Sequence, residues 1–229
     1  QGRTNPVFPV MGAPLLAQNE RHAPKGIKMS GPLIACFTSL GGFAQKGAHV
    51  YIRLAEMYAQ RHNHTHSQGW LFYGVGNVPK SRHVKSMPYM SQRDLDVFYA
   101  RDVDAVFNLV SYVPSWPDGA EGFPLGGEAV NAGAIFFSTD QLDCNRRNQF
   151  FFVDGFVRVN LDDLASVIDR LDEYSNDRIR LHRHSIEIQR AFHRHFEFDK
   201  QSGRILHHIK DRFCPRYNPH RGKAFQFSA

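Results

Sequence analysis

Two carboxylates and several glycines lie close together between residues 118 and 133, where the sequence reads DGAEGFPLGGEAVNAG. Glu121 lies in a loop rich in Gly and Pro, and Glu128 opens an Ala/Val/Asn run that predicts a helix. The uncapped N–H groups of a helix's first turn bind anions, and glycines just ahead of that turn let a phosphate approach the backbone. Each ionised carboxylate accepts several O–H bonds, which suits hydroxyl-rich groups. The stretch therefore predicts a site for a nucleotide or a nucleotide-sugar.

This stretch resembles the donor-site signature of retaining glycosyltransferases of family four. In that family a Glu, a Gly-Phe-Gly or Gly-Phe-Pro and a second Glu contact the donor sugar, diphosphate and ribose. The resemblance implies one half of the GT-B fold, in which two Rossmann-like domains face a cleft, and it covers the donor-binding half only. One departure is visible: the family usually has seven residues between the two glutamates, whereas Glu121 and Glu128 have six between them.

The resemblance implies a role for each residue of the motif. Glu128 would hold the ribose hydroxyls, and Glu121 with the next residues would hold the sugar. Lys46 would stabilise charge on the departing diphosphate, so Lys46 and Glu121 are the predicted catalytic residues. The predicted donor-binding residues are Gly41, Gly42, Lys46, Met87, Tyr89, Glu121, Gly122, Phe123, Pro124, Leu125 and Glu128. The resemblance implies a nucleoside-diphosphate sugar as substrate, with no cofactor and no metal.

The first strand, loop and helix of a nucleotide-binding sheet are predicted near the start of the chain. Residues 32–40 form a short apolar run of buried-strand type, a glycine-containing loop follows, and apolar residues recur at helical spacing over 49–59. The resembled family has an Arg a few residues before a Lys-Gly pair here. Lys46 and Gly47 fit the pair, while Thr38 and Ser39 stand near the place of the Arg.

Further strands and helices alternate along the chain. Strands are predicted over 70–75, 83–89, 105–110 and 134–139, and Ser91 is expected to cap a helix that follows it. This alternation predicts an α/β fold with a single Rossmann-like, doubly wound parallel sheet flanked by helices. In the resembled family the loop after the third strand lies against the base, which makes Met87 and Tyr89 the local candidates.

The last part of the chain is predicted to be helical and basic. Asn160 is expected to cap a helix, and two more helices are expected over about 176–196 and 199–212, with Ile179, Ile186, Phe192, Ile205 and Ile209 forming a packed stripe in each. We expect residues 1–31 to be a leader or interdomain segment. Residues 32–175 would form the nucleotide-sugar-binding domain, and residues 176–229 would pack on it as basic helices and a tail.

The charge distribution suggests a second partner. Residues 178–223 hold twelve Lys or Arg and four Asp or Glu, whereas the whole chain has a net charge of +6. Such a run is usually a solvated helix face. It could also bring the protein to an anionic membrane surface. Nucleic acid is the least favoured partner, because no nucleic-acid motif accompanies the cations.

Composition indicates a globular protein. Hydrophobic residues make up 42% of the 229 residues, no apolar run reaches the roughly 18 residues that a membrane span needs, and three separated cysteines fit a reducing compartment. We therefore expect a cytoplasmic location, with peripheral contact to a membrane as an option. His62, His64 and His66 could in principle bind a metal, but such alternate histidines are more often a solvated loop. The chain starts with Gln, so it is expected to be part of a longer protein.

Together these patterns predict the donor-binding half of a glycosyltransferase that transfers a sugar with retention of configuration, in polysaccharide or glycolipid synthesis. The acceptor-binding domain is expected to be missing from this chain. The alternative is a non-catalytic nucleotide-binding or protein-interaction module of the same fold.

Overall fold

Six parallel strands form one sheet at the centre of the molecule. The computed structural model describes residues 23–39, 47–62, 69–109, 122–139 and 156–196. In the sheet the strands lie in the order β3-β2-β1-β4-β5-β6, and every neighbouring pair is parallel. This is the doubly wound order of a Rossmann fold. The strands are β1 (Leu33–Ser39), β2 (Trp70–Gly76), β3 (Val84–Met87), β4 (Ala105–Asn108), β5 (Ile135–Thr139) and β6 (Val157–Val159).

Five helices flank the sheet among the described residues: α1 (Ala48–Arg61), α2 (Gln92–Arg101), α3 (Gly122–Asn131), α4 (Leu164–Asn176) and α5 (Arg178–Phe196). The predicted α/β fold with a doubly wound parallel sheet is therefore confirmed. None of the described helices combines the length and the apolarity that crossing a membrane requires.

Helices α1 and α4 cover one face of the sheet. Tyr51 of α1 is fully buried, and its ring packs against Phe37, Phe72 and Phe107 of three adjacent strands. The indole N–H of Trp70, also fully buried, donates to the carbonyl of Leu171 in α4 at 2.8 Å. Large aromatic side chains therefore supply much of the apolar area that holds this layer together.

The other face is covered by α2, α3 and α5. Tyr73 on this face packs against Phe98 of α2. Helices α3 and α5 approach closely at Gly127, where a Cβ atom would lie 3.1 Å from the ring of Phe192. Both faces of the sheet are thus covered, which explains why its strands read as nearly continuous apolar runs.

Helix α3 differs from its prediction. It begins at Gly122 rather than at Glu128, so Gly126 and Gly127 lie inside the helix and not ahead of it. Pro124 falls in the first turn, where a missing N–H costs no helical hydrogen bond, so the proline is compatible with this earlier start. Gly127 packs against α5, which gives this glycine a role in helix contact.

Two further expectations about the C-terminal part need correction. Asp163, not Asn160, caps α4, because its carboxylate accepts from the N–H of Ser166 at 3.2 Å. The side chain of Asn160 instead accepts from the N–H of Asp162 in the turn before the helix. Ile179 is 52% exposed, so it does not belong to the packed stripe of α5. Strand β6 was not predicted, and the helix expected over 199–212, with Ile205 and Ile209, lies outside the described residues.

Candidate functional site

The candidate site lies where the carboxyl ends of β1 and β4 meet, and we call this side of the sheet the carboxyl edge. Strands β1 and β4 are neighbours, and the chain continues from β1 to β2 on one side and from β4 to β5 on the other. Such a reversal of strand order opens a crevice beyond the strand ends, where doubly wound sheets bind their ligands.

Gly47 places the start of α1 against the end of β4. It precedes the helix with a φ of 80°, a conformation that favours glycine. A Cβ atom at this position would overlap the carbonyl oxygen of Leu109, just after β4. Gly47 has no side chain with which to cap α1, and the first turn of the helix contains no acidic residue. The N–H groups of that turn, at the positive end of the helix dipole, can therefore bind an anion.

A second close approach joins the ends of β1 and β2. Gly76 ends β2 with a φ of 85°, and a Cβ atom there would collide with the carbonyl oxygen of Ser39. That carbonyl also accepts from the N–H of Asn77 at 2.9 Å. Gly76 thus keeps two strand ends together at the carboxyl edge.

Met87 and Tyr89, the candidates for contact with a base, lie at the same edge. Met87 is the last residue of β3 and is paired with Val75 of β2. The ring of Tyr89 is 64% exposed and lies 3.7 Å from the position that a Cβ atom on Gly76 would take. The structure therefore brings Met87, Tyr89 and Gly76 together, with Tyr89 largely exposed.

Glu128 lies on α3, facing α2. Its side chain is only 7% exposed. Burial raises the pKa of the Glu128 carboxyl, a hydrogen bond with the side chain of Gln92 opposes that rise, and the nearby charge of Asp96 adds to it. Gln92 is the first residue of α2, so it joins the two helices through this bond. Gln92 could not be found from local sequence patterns, because the contact joins residues that are far apart in the chain.

A buried pair of hydroxyl groups lies near the end of β1. The hydroxyls of Thr38 and Tyr99 are 2.6 Å apart and hydrogen-bonded, and Tyr99 is fully buried. Burial is the main cause that raises the pKa of Tyr99 well above its usual range. Thr38 stands near the place of the family's Arg, and in this chain its hydroxyl is used to anchor α2 on the sheet.

Uncharged polar residues end the central strands, a feature that sequence reasoning missed. Asn108 of β4 donates to the hydroxyl of Ser138 in β5 at 3.3 Å, and both side chains are buried. Ser39 and Thr139 are buried as well. The signal was available, because each of these polar residues ends or nearly ends a run of apolar strand residues.

The remaining predicted site residues are placed in part or not at all. Gly41, Gly42, Lys46 and Glu121 lie outside the described residues. Gly122, Phe123, Pro124 and Leu125 form the first turns of α3, and only their backbone is described.

The described residues include no group of three His, Cys, Asp or Glu side chains arranged to hold a metal. His62 is bonded to Asp172 at 2.8 Å and packs on the ring of Tyr58. His64 and His66 lie outside the described part of the chain.

Comparison with solved structures identifies the architecture. The S. aureus TarM structure in complex with UDP and other ligands superposes with a TM-score of 0.58 at 15% identity, over 82% of this chain and 37% of TarM. Anabaena HepE in complex with UDP-glucose gives 0.57 at 11% identity, over 79% of this chain and 49% of HepE. The sucrose-phosphate synthase of Thermosynechococcus elongatus gives 0.56 at 12% identity, over 91% and 50%.

The chain has the fold of a GT-B glycosyltransferase domain. It spans between about a third and a half of the length of these GT-B chains. No protein-family model and no curated protein matches the sequence. The likeness is thus one of three-dimensional architecture, and the GT-B domain here carries its candidate site at the carboxyl edge.

Proposed function

We propose that this chain is the donor-binding domain of a retaining glycosyltransferase similar to family four. It would take a hexosyl group from a nucleoside-diphosphate sugar and pass it to an acceptor in the synthesis of a polysaccharide or a glycolipid. The observation that carries the proposal is the start of α1, which Gly47 holds against the end of β4 at the switch point of the sheet. Backbone amides in this position bind phosphate groups.

Two neighbours of the same fold support a nucleotide-sugar donor. The TarM structure contains UDP, and the HepE structure contains UDP-glucose. In this chain the strand ends at the carboxyl edge carry the uncharged residues Ser39, Gly76, Asn108 and Thr139. The diphosphate charge would therefore be balanced by the amides of α1 and by Lys46, with Gly41 and Gly42 in the preceding loop.

In the proposed reaction the bond between the anomeric carbon and the diphosphate oxygen breaks, the acceptor hydroxyl oxygen forms its bond on the same face of the sugar, and the hydroxyl proton passes to the departing diphosphate. Negative charge grows on the departing diphosphate, so preorganised N–H groups and one cation lower the barrier. Met87 and Tyr89 would contact the base, and Glu128 the ribose hydroxyls with Gln92 orienting its carboxylate. Glu121 and the start of α3 (Gly122, Phe123, Pro124 and Leu125) would contact the sugar.

The proposal is tested by titrating the protein with UDP, GDP, ADP and dTDP in calorimetry and thermal-shift experiments. We expect one nucleotide to bind best, and Lys46→Gln to weaken it about tenfold because a charge-assisted contact is lost. Arg53→Gln is the matched control, because Arg53 is exposed on α1 and the substitution removes the same charge. Absence of binding at millimolar nucleotide, or an equal loss in both variants, would contradict the proposal.

The division of labour between two domains is tested separately. An acceptor site in another domain predicts that this chain alone binds the donor but transfers little or no sugar. Product formation by the isolated chain at rates of an ordinary glycosyltransferase would show that the acceptor site is within it.

A further inference from the structure

A groove of about 580 Å³ lies between β6, α4 and α5, away from the candidate donor site. We call the side of the sheet where the strands begin the amino edge. The groove lies near this edge, because Trp70, the first residue of β2, is hydrogen-bonded to the same part of α4. The side chains that line it include four arginines together with a tyrosine and a histidine: Arg158, Arg170, Arg180, Arg183, Tyr174 and His184.

Contacts within the protein hold several of these groups in place. Glu173 pairs with Arg170 at 2.7 Å and with Arg180 at 3.2 Å, so one carboxylate positions two guanidinium groups. Arg158 lies over the ring of Phe156, 5.9 Å from its centroid. A positively charged group fixed before a ligand arrives loses less side-chain entropy on binding.

The charges around the groove do not cancel. The lining contains four arginines and the acidic residue Glu187, and a second acidic residue, Glu173, lies beside the lining. Arg183 makes no ion pair with any other described residue. The hydroxyl of Tyr174 and Nδ1 of His184 also lie at the groove, hydrogen-bonded to each other at 2.5 Å. Counted over the described residues, the groove thus has four arginines against two glutamates, with guanidinium N–H donors in its wall.

We propose that this groove binds a phosphomonoester group. A phosphomonoester carries about −1.5 to −2 charges near pH 7 and three strong acceptor oxygens. Arginine guanidinium groups match these oxygens with two parallel N–H bonds, which makes arginine the preferred residue for such groups. The excess charge and the donors of the groove fit this ligand. The group could belong to a free phosphorylated metabolite or to a lipid head group, and the site is separate from the proposed donor site.

The proposal is tested by calorimetry, in which the full chain is titrated with glycerol phosphate at low ionic strength. We expect binding that weakens with added salt. Arg183→Gln should weaken it about five- to tenfold, since a charge-assisted contact is lost. Arg190→Gln is the matched control: Arg190 is exposed on the same helix but does not line the groove. Absence of binding at about 10 mM glycerol phosphate would overturn the proposal. An equal loss of affinity in both variants would overturn it as well.

Two further arms separate this site from the donor site and identify the source of the phosphate. Arg183→Gln should leave the affinity for the preferred nucleoside diphosphate unchanged, whereas Lys46→Gln should leave glycerol phosphate binding unchanged. Co-sedimentation with vesicles of phosphatidic acid, compared with neutral vesicles, shows whether a lipid head group is bound. Sedimentation lost in Arg183→Gln but kept in Arg190→Gln indicates the lipid, and titration of glycerol phosphate without sedimentation indicates a free metabolite. If Arg183→Gln instead weakens only the nucleotide, the groove is part of the donor site and our assignment is wrong.

Discussion

The two edges of the sheet are built in different ways. At the carboxyl edge the strand ends are uncharged. Gly47 and Gly76 let backbone segments approach there more closely than a side chain would permit. At the amino edge charged side chains add to the backbone bonds: Asp104 accepts from the N–H of Ile34 at 2.8 Å and pairs with Lys28 at 3.4 Å. An edge built from backbone contacts leaves N–H groups available to a ligand. At an edge built from charged side chains, such groups bond to the protein's own side chains.

The charged contacts of the amino edge attach the extended segment before β1. Lys25 donates to the carbonyl of Val103, and Arg178 donates to the carbonyl of Gly31 at 3.0 Å. Arg178 is buried, which lowers the pKa of its guanidinium. The segment is thus attached by its own Lys25 and by Arg178 of α5 rather than by strand pairing.

The largest expected effect tests whether glycine is required at the carboxyl edge. Gly47→Ala combines a left-handed conformation with overlap on Leu109, and we expect it to destabilise the fold by about 2–4 kcal/mol. Gly31→Ala has a φ of 76° but open space around it, so it should cost about 1 kcal/mol. Urea unfolding of the purified variants measures both values.

Gly26→Ala is the control of this series, because Gly26 has no positive φ and nothing within 4 Å of an added Cβ. Its stability should stay within about 0.5 kcal/mol of the parent chain. If the Gly47 and Gly31 variants lost equal stability, the close approach to Leu109 would not matter, and the comparison between the edges would fail.

A medium effect is expected from the charged contacts of the amino edge. Asp104→Ala leaves the N–H of Ile34 without its acceptor and Lys28 without its carboxylate. We expect a loss of about 1–3 kcal/mol in the free energy of unfolding. Asp102→Ala is the matched control, since its ion pair with the exposed Arg101 should contribute less than about 1 kcal/mol. Equal losses in the two variants would show that Asp104 is not a special connection.

The smallest effect sharpens the comparison through pH. Burial lowers the pKa of Lys25 from 10.5 to about 8. Between these values the unfolded chain binds more protons than the folded chain, so this group makes stability increase as the pH rises from 8 towards 10.5. Lys25→Met removes that contribution, which we expect to be about 1–2 kcal/mol. Urea unfolding of parent and variant at pH 8 and pH 10 measures it, and parallel pH profiles would contradict the assignment.

Much of the sheet was predictable because its strands are buried on both faces. The apolar runs at 32–40, 70–75 and 105–110 contain strands β1, β2 and β4, and alternation with helices implied parallel pairing. The three residues of β6 are too few to show a pattern. Short edge strands are defined by pairing with a neighbour, here β5, rather than by their own sequence.

Other errors came from contacts between distant residues. The glycines before Glu128 suggested a loop, but Gly127 packs against Phe192 in α5, a contact that local propensity does not contain. Glu128 itself was found from the motif, whereas its partner Gln92 was not. The cap of α4 was misplaced by three residues because Asn160 and Asp163 are both good capping residues, and only the three-dimensional structure distinguishes a turn from a helix start.

The bond from Asp104 to the N–H of Ile34 has a consequence for how the chain folds. The two residues are 70 positions apart, whereas the first contact of β1 with β2 joins residues 33 and 70. Closing the longer loop costs more chain entropy and needs both strands in register. We therefore expect β1, β2 and α1 to form early and the β1–β4 pairing to be a slow, late step. Asp104, whose side chain is 13% exposed, would then stabilise the sheet only after β1 and β4 have paired.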